Sequence, residues 1–329
     1  HSLSRRQRQM CIRDRLDGLD SDSGRNLLSS FENLEDEQWL YIHGISRGHP
    51  LVLELINRGA SATAFHETLE NYVTVEIFSK LSAEQKRVLS VLSIFREPVS
   101  IDALSEQKLD IDVLDSLVEQ GLARQVDSEV YDVHDLIREF LLRSLDEKLK
   151  IELHNKCSTW YQKASDAPVF TIELIFHLVS SDNMTEAAEI IVNTGRSLIS
   201  QGHMELLGLI ESLEQSELSE NVSTKVNHYK GEILALLGRF EDAKEAFRDA
   251  QESANKSKDV NTQAELLSAL ADISLKQGNL DESLNMHRDA LEIFIKLKDA
   301  IGAARSYNNM GYILRRKNDK SKALESYGE

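Results

Sequence analysis

Few residues in this 329-residue chain stand in a pattern that could make or break a bond. Cys157 has His154 three residues before it, a helical spacing at which an imidazole could take a thiol proton. Cys and His neighbours on a helix more often pack than react, and the pair is read as packing. His66-Glu67 could open the His-Glu-x-x-His helix of a zinc protease, but the second His is lacking. The two cysteines, Cys11 and Cys157, lack zinc-ligand spacing. A phosphate loop requires Gly-x-x-x-x-Gly-Lys followed by Ser or Thr, and none of the 15 glycines is followed by Lys. The expectation is a chain with no catalytic residues, no metal site and no ATP hydrolysis of its own.

The elements that carry these residues are expected to be helices. Hydrophobic residues make up 41% and charged residues 28%, with only 3 prolines. A core can form and few residues interrupt helices. The net charge of −17 repels phosphate backbones and anionic membranes and favours basic partners. No apolar run approaches 18 residues, so no membrane span is expected. Two cysteines fit a reducing, cytoplasmic setting rather than a disulfide framework, and the Asn183 and Asn221 triplets are then not glycosylation sites. The segment from His1 to Arg15 has five arginines against one acid and no starting Met. Its string Met10-Cys11-Ile12-Arg13-Asp14-Arg15 looks like a translated adapter remnant, so residues 1–24 are read as non-native or disordered. The last residues, Ser326-Tyr327-Gly328-Glu329, lie inside a helix-forming pattern, and the chain is read as a fragment cut at both ends.

An internal repeat organises residues 223–329. The small residues Gly231, Ala271 and Gly311 lie 40 apart, as do the turn residues Gly238, Gly278 and Asn318. Behind each turn come Phe240, Leu280 and Lys320, then Ala243, Ser283 and Ala323, then Phe247, His287 and Tyr327, then Ala250 and Ala290. A small residue in the first helix of a hairpin lets the second approach closely. Gly or Asn at the turn can take the left-handed conformation that ends a helix. The pattern resembles the tetratricopeptide repeat (TPR) family, whose usual period is about 34 residues. The period of 40 implies longer helices. Residues 148–222 read as irregular TPR-like hairpins: Trp160, Tyr161, Ile172, Ile175, Leu178, Ala187, Ala188, Ile190 and Ile191 recur at helical spacing, and Thr185 to Ile191 looks like a degenerate second helix.

Residues 79–147 read as a winged helix. Ser82 and Gln85 form a capping box before a helix with Val88, Leu89, Val91, Leu92 and Phe95, stopped by Pro98. A short helix starts at Ser100 and a third is capped by Asp110. A hairpin turns at Asp127-Ser128-Glu129, and a last helix runs from about His134 to Leu145. The would-be recognition helix, Asp110 to Gly121, holds Asp110, Asp112, Asp115 and Glu119 with no Lys or Arg. These charges argue against direct DNA binding and for a spacer.

Two short motifs add a family resemblance. The Gly48-His49-Pro50-Leu51 turn between helices, within residues 25–78, resembles the helical lid of the STAND signal-transduction ATPases, which include the NB-ARC proteins. Val133-His134-Asp135 resembles the Met-His-Asp motif of the NB-ARC group, with Val in place of Met. The resemblance implies that Pro50 packs near the adenine and that His134 meets the β-phosphate of ADP in an intact protein, locking its resting state. An imidazole at a helix N-terminus can donate to a phosphate. The order of parts also matches: lid, winged helix, irregular hairpins, repeats. It covers about residues 26–329, and it implies a regulatory or sensor half that lacks the ATPase core, with ATP or ADP as the intact protein's cofactor. The concave face of the TPR solenoid would bind a protein or peptide. A free-standing TPR scaffold and a winged-helix transcription regulator are the competing readings. The expected fold is mostly α: a winged helix with a small β-hairpin, then an α-solenoid.

Overall fold

Ser82 and Gln85 close the reciprocal cap expected of them. In the computed structural model, the Gln85 amide donates to the Ser82 hydroxyl (3.1 Å) and the Ser82 amide to Gln85 Oε1 (2.9 Å). The structure describes residues 19–28, 36–46, 50, 53, 78–105, 107, 109–164, 167–214 and 216–329. It divides into two compact units, His1–Trp160 and Tyr161–Glu329.

In the first unit, α1 (Ser21–Leu27) is capped by Asp20, and α2 (Asp36–Ser46) follows. Trp39 of α2 is buried, donates from Nε1 to Ser21 Oγ (2.9 Å) and lies over Gly24. Leu53 is buried. Gly48 and His49 of the lid motif lie outside the described residues. Then come α3 (Ala83–Ile94), β1 (Val99–Ser100), α4 (Ile101–Ser105), α5 (Asp112–Glu119), β2 (Ala123–Asp127), β3 (Val130–Val133) and α6 (Asp135–Ser144). The core of this unit gathers Val88, Leu89, Leu92, Phe95, Leu104, Leu114, Leu117, Val133 and Ile137. Helix α3 ends with Phe95 as its C-cap, ahead of Pro98.

The sheet has three antiparallel strands in the order β1-β3-β2, with Val99 opposite Tyr131 and Ala123 opposite Val133. The expected hairpin is present and β1 adds an edge to it. A strand of two residues is too short to show alternation in a sequence. Asp132 of β3 is buried and accepts from Arg124 and Arg138, each at 2.5 Å. Arg138 Nη1 also reaches the carbonyls of Leu92 and Ser93 (both 3.3 Å). One guanidinium thus ties strand β3, helix α6 and the end of α3. Helix α7 (Glu147–Ala164) carries the boundary between the units. In it, Cys157 is fully buried, with Gln107 Nε2 3.8 Å from its sulfur, and His154 is buried one turn before. Both side chains lie in the packed interior.

The second unit is a helical solenoid. It contains α8 (Pro168–Ser180), α9 (Met184–Ser200), α10 (Leu206–Glu211), α11 (Glu220–Leu236), α12 (Phe240–Ser257), α13 (Val260–Lys276), α14 (Leu280–Leu297), α15 (Ala300–Arg316) and α16 (Lys320–Gly328). Helices α11/α12, α13/α14 and α15/α16 pair as hairpins. Gly238 (φ 79°), Gly278 (φ 88°) and Asn318 (φ 65°) turn left-handed between them. After each turn the next amide bonds back five residues: Arg239 to Leu234, Asn279 to Ser274 and Asp319 to Leu314. This satisfies carbonyls that the helix end leaves open.

The same signature occurs one hairpin earlier. Gly202 has φ 89°, and the His203 amide bonds back to the Leu198 carbonyl (3.0 Å). Helix α9 has 17 residues, as do α11, α13 and α15. Gly195 stands twelfth in it, where Gly231, Ala271 and Gly311 stand in theirs. Helix α8 ends the same way, at Asp182 (φ 64°) with the Asn183 amide bonded back to the Leu178 carbonyl (2.9 Å), and it packs on α9, so the segment Thr185 to Ile191 follows a hairpin turn as its sequence suggested, while α9 also stands in register with the first helices after it. The spacing to the next repeat is 36 residues, because the second helix, α10, spans only 6 residues.

Candidate protein-binding surface of the repeats

Each hairpin is closed by a small residue under a large one. Gly231 lies directly beneath the Phe247 ring, so that a Cβ there would run into it. Gly311 lies beneath Tyr327, whose Cε1 would be 2.7 Å from an added Cβ. Between them, Ala271 and His287 hold the same places and both are fully buried. Ser283 Oγ donates to the Ala271 carbonyl (2.7 Å), which satisfies a hydroxyl at a position where Ala243 and Ala323 present none. Ala243, Ala250 and Ala290 are fully buried and Ala323 nearly so. These residues set the spacing of the helices and leave the first helix of every repeat with one outward face.

On that face the residue after the small one is Arg196 in α9, Glu232 in α11, Asp272 in α13 and Tyr312 in α15. Six residues before the small one stand Lys225, Glu265 and Arg305. The two rows interlock. Arg196 Nη2 is 3.8 Å from Glu265 Oε2. Asn309 Nδ2 donates to Asp272 Oδ1 (3.1 Å), joining α15 to α13. Burial raises the Glu232 carboxyl, but the His228 hydrogen bond and charge, together with Arg196 and Arg305, outweigh it and hold it below its ordinary value. His228 Nε2 lies 3.4 Å from Glu232 Oε1. His287 Nε2 comes within 3.2 Å of Asp272 Oδ1 but without hydrogen-bond alignment. The face is a band of exposed and partly exposed residues, most of them charged and of both signs, suited to hydrogen-bonding an extended or helical protein segment.

This band was not singled out from the sequence. Its residues are ordinary helix-surface types, and only their fixed offset from Gly195, Gly231, Ala271 and Gly311 marks them. Of the two residues carried by family resemblance, His134 is the N-cap residue of α6 (φ −60°, ψ 140°). It is half-buried and makes no side-chain capping hydrogen bond. Pro50 is helical and exposed. Helix α5 exposes Asp112, Asp115 and Glu119. Among the described residues no helix is long and apolar enough to cross a membrane, and no group of three His, Cys, Asp or Glu side chains could hold a metal ion.

Residues 223–294 and 262–329 match the tetratricopeptide repeat family, so the solenoid carries TPR repeats. No curated protein sequence matches the chain. Among solved structures, the chain is similar to a signal transduction ATPase with numerous domains (STAND) that has a tetratricopeptide repeat sensor, from Pyrococcus horikoshii. Identity is 19% and the TM-score 0.43, covering 94% of this chain and 59% of that one. The chain thus spans about three fifths of that protein's length. It is also similar to BtubC from P. vanneervenii, with 17% identity and a TM-score of 0.33, covering 75% of this chain and 89% of that one.

Proposed function

We propose that the outward face of α9, α11, α13 and α15 binds a segment of a partner protein, and that the chain is the sensor arm of a STAND-type nucleotide switch. The observation that carries the first half is the charged band in one register of four successive helices, from Arg196 through Glu232 and Asp272 to Tyr312. Repeat solenoids use such continuous faces for partners. A photoreactive residue in place of Tyr312 tests it in cells expressing the protein. A discrete cross-linked protein is expected. Loss of that adduct should follow Glu232→Lys with Glu265→Lys, and an adduct indifferent to these changes would refute the assigned face.

The switch rests on sequence resemblance. His134 stands at a helix N-terminus, where backbone amides and an imidazole favour a phosphate. In an intact protein with ADP bound, His134 and Pro50 would be its contacts from this chain, and the ADP would hold the resting state. We read residues 79–147 as a winged helix that transmits the repeats' state rather than reading DNA. The coding sequence upstream of Asn26 decides the matter: without a phosphate loop there, the switch reading fails and a free-standing TPR scaffold remains. Residues 1–329 alone should release no phosphate from ATP above contaminant level. Tight, salt-sensitive mobility shifts of DNA by residues 79–147 would instead favour a transcription regulator.

A further inference from the structure

The shortened repeat leaves a groove on the side of the solenoid away from the charged band. The regular second helices, α12 and α14, have 18 residues each, against 6 in α10. The difference is about 12 residues, or ~18 Å of helix at 1.5 Å per residue. Where those turns would run, α10, the segment after it, α11 and α12 enclose a groove of about 620 Å³. Its apolar residues are Ile210, Leu213, Leu218, Val226 and Leu234, of which Leu218 is partly exposed and the others are buried. On α11, Lys230 lines this groove while Glu232 belongs to the charged band. At 3.6 residues per turn the two point to nearly opposite sides.

The walls are acidic. Asp242, Glu245, Asp249 and Glu252 form one stripe along α12, and Glu211 and Glu214 face the groove from the opposite side. The three cations that line it are each engaged by an acid: Lys230 with Glu214 (2.6 Å), Arg239 with Asp242 (2.7 Å) and Lys256 with Glu252 (3.1 Å). Glu211, Glu245 and Asp249 form no ion pair among the described residues. Burial holds the Asp249 carboxyl above its ordinary value, Glu245 adds to this, Lys230 opposes it, and Glu252 and Glu214 add further. A cation brought to this wall would relieve that repulsion.

A second observation points to a ligand independently of the charge. Ser253 lines the groove and is 9% exposed. Its hydroxyl has no hydrogen-bond partner among the described residues. By contrast, Thr194, Ser212 and Thr224 each donate to the carbonyl four residues earlier. The side chain of Ser253 is nine-tenths buried and its hydroxyl opens onto the groove.

We propose that this groove docks a basic amphipathic helix of a partner protein, which takes the place of the turns that α10 lacks. Its apolar side would cover Leu218, which is partly exposed. Its Lys or Arg side chains would meet Glu245, Asp249 and Glu211, and a polar group would reach Ser253. The length of the gap favours a helix over a small polycation, which would use only the acids.

The test uses the full chain and a fluorescein-labelled 12-residue peptide with leucines on one helical face and lysines or arginines elsewhere. Saturable binding with a gain of peptide helicity is expected. It should weaken at least tenfold for a scrambled peptide of the same composition, and at least tenfold for the full-length peptide on Glu245→Lys with Asp249→Lys. Asp289→Lys, at the place of Asp249 on the next second helix, should leave it unchanged. No saturable binding, equal binding of the scrambled peptide, or equal weakening by Asp289→Lys would each overturn the proposal. The scrambled-peptide arm needs no variant and so does not depend on how the double variant folds.

Discussion

The ring of Tyr229 lies over Gly195: a Cβ on Gly195 would sit 2.6 Å from Tyr229 Cδ2, and the Tyr229 hydroxyl donates to the Val192 carbonyl at 3.3 Å. In the regular repeats the small residue is covered from its own second helix, by Phe247 or Tyr327. In the shortened repeat the corresponding position is Glu211, which is exposed, and the next first helix supplies the ring instead. Tyr229 on Gly195 is thus one of the contacts that join α9 to α11, beside the shared core of Ile191, Leu198, Val226 and Ile233.

Gly195→Ala should destabilise the protein by about 1–3 kcal/mol, because the ring and backbone must move apart. Gly208→Ala is the control. Gly208 is helical with nothing within 4 Å of an added Cβ, and Ala there should stabilise by roughly 0.5–1 kcal/mol. Urea unfolding of both variants measures the difference, and the same sign for both would contradict the packing.

The Asp132 cluster should dominate the first unit's stability. Asp132→Ala leaves Arg138, whose side chain is 13% exposed, without its carboxylate. The expected loss is about 3–5 kcal/mol. Arg124 is 41% exposed at its side chain, so Arg124→Met should cost far less, about 1 kcal/mol or under. Thermal unfolding of the two variants checks the order.

His154 gives a pH dependence with a defined sign. Burial, then Lys150 and Arg96, lower its pKa from 6.5 to about 4. The folded state thus binds its proton less readily than the unfolded state. Its contribution is complete above pH 6.5, is lost as the pH falls from about 6.5 to about 4, and changes no further below that. The loss is on the order of 2–3 kcal/mol. His154→Leu should flatten the stability profile between pH 6.5 and 4, measured by denaturant midpoints.

Lys258 and Lys298 end α12 and α14 in the left-handed conformation, at φ 57° and 58°. A side chain with a Cβ is strained there. Lys258→Gly and Lys298→Gly should each raise stability by about 1 kcal/mol, seen as higher midpoints. An unchanged or lowered midpoint would show that the lysine side chains contribute contacts of their own.

Local chemistry made much of this protein legible. The capping box at Ser82 and Gln85, the turn at Glu129, and the left-handed turns at Gly238, Gly278 and Asn318 need only neighbouring residues, and so the sequence carries them openly. The 40-residue period was visible because Gly231, Ala271 and Gly311 recur in step. Gly195 and Gly202 escaped for a physical reason. Shortening α10 changes the step to 36 residues, and a search at a fixed step passes over them.

By itself the sequence determined the helix-rich composition, the turns and the small-under-large pairs within regular repeats, because each is a rule about residues a few turns apart. Which surfaces remain open was decided only in three dimensions. The charged band requires four helices stacked in register. The acidic groove requires Tyr229 to cover Gly195 from the next repeat, so that α10 can stop at Glu211 and leave α12 with an uncovered flank. Contacts between residues on different helices depend on how those helices pack, and no single stretch of the chain contains that information.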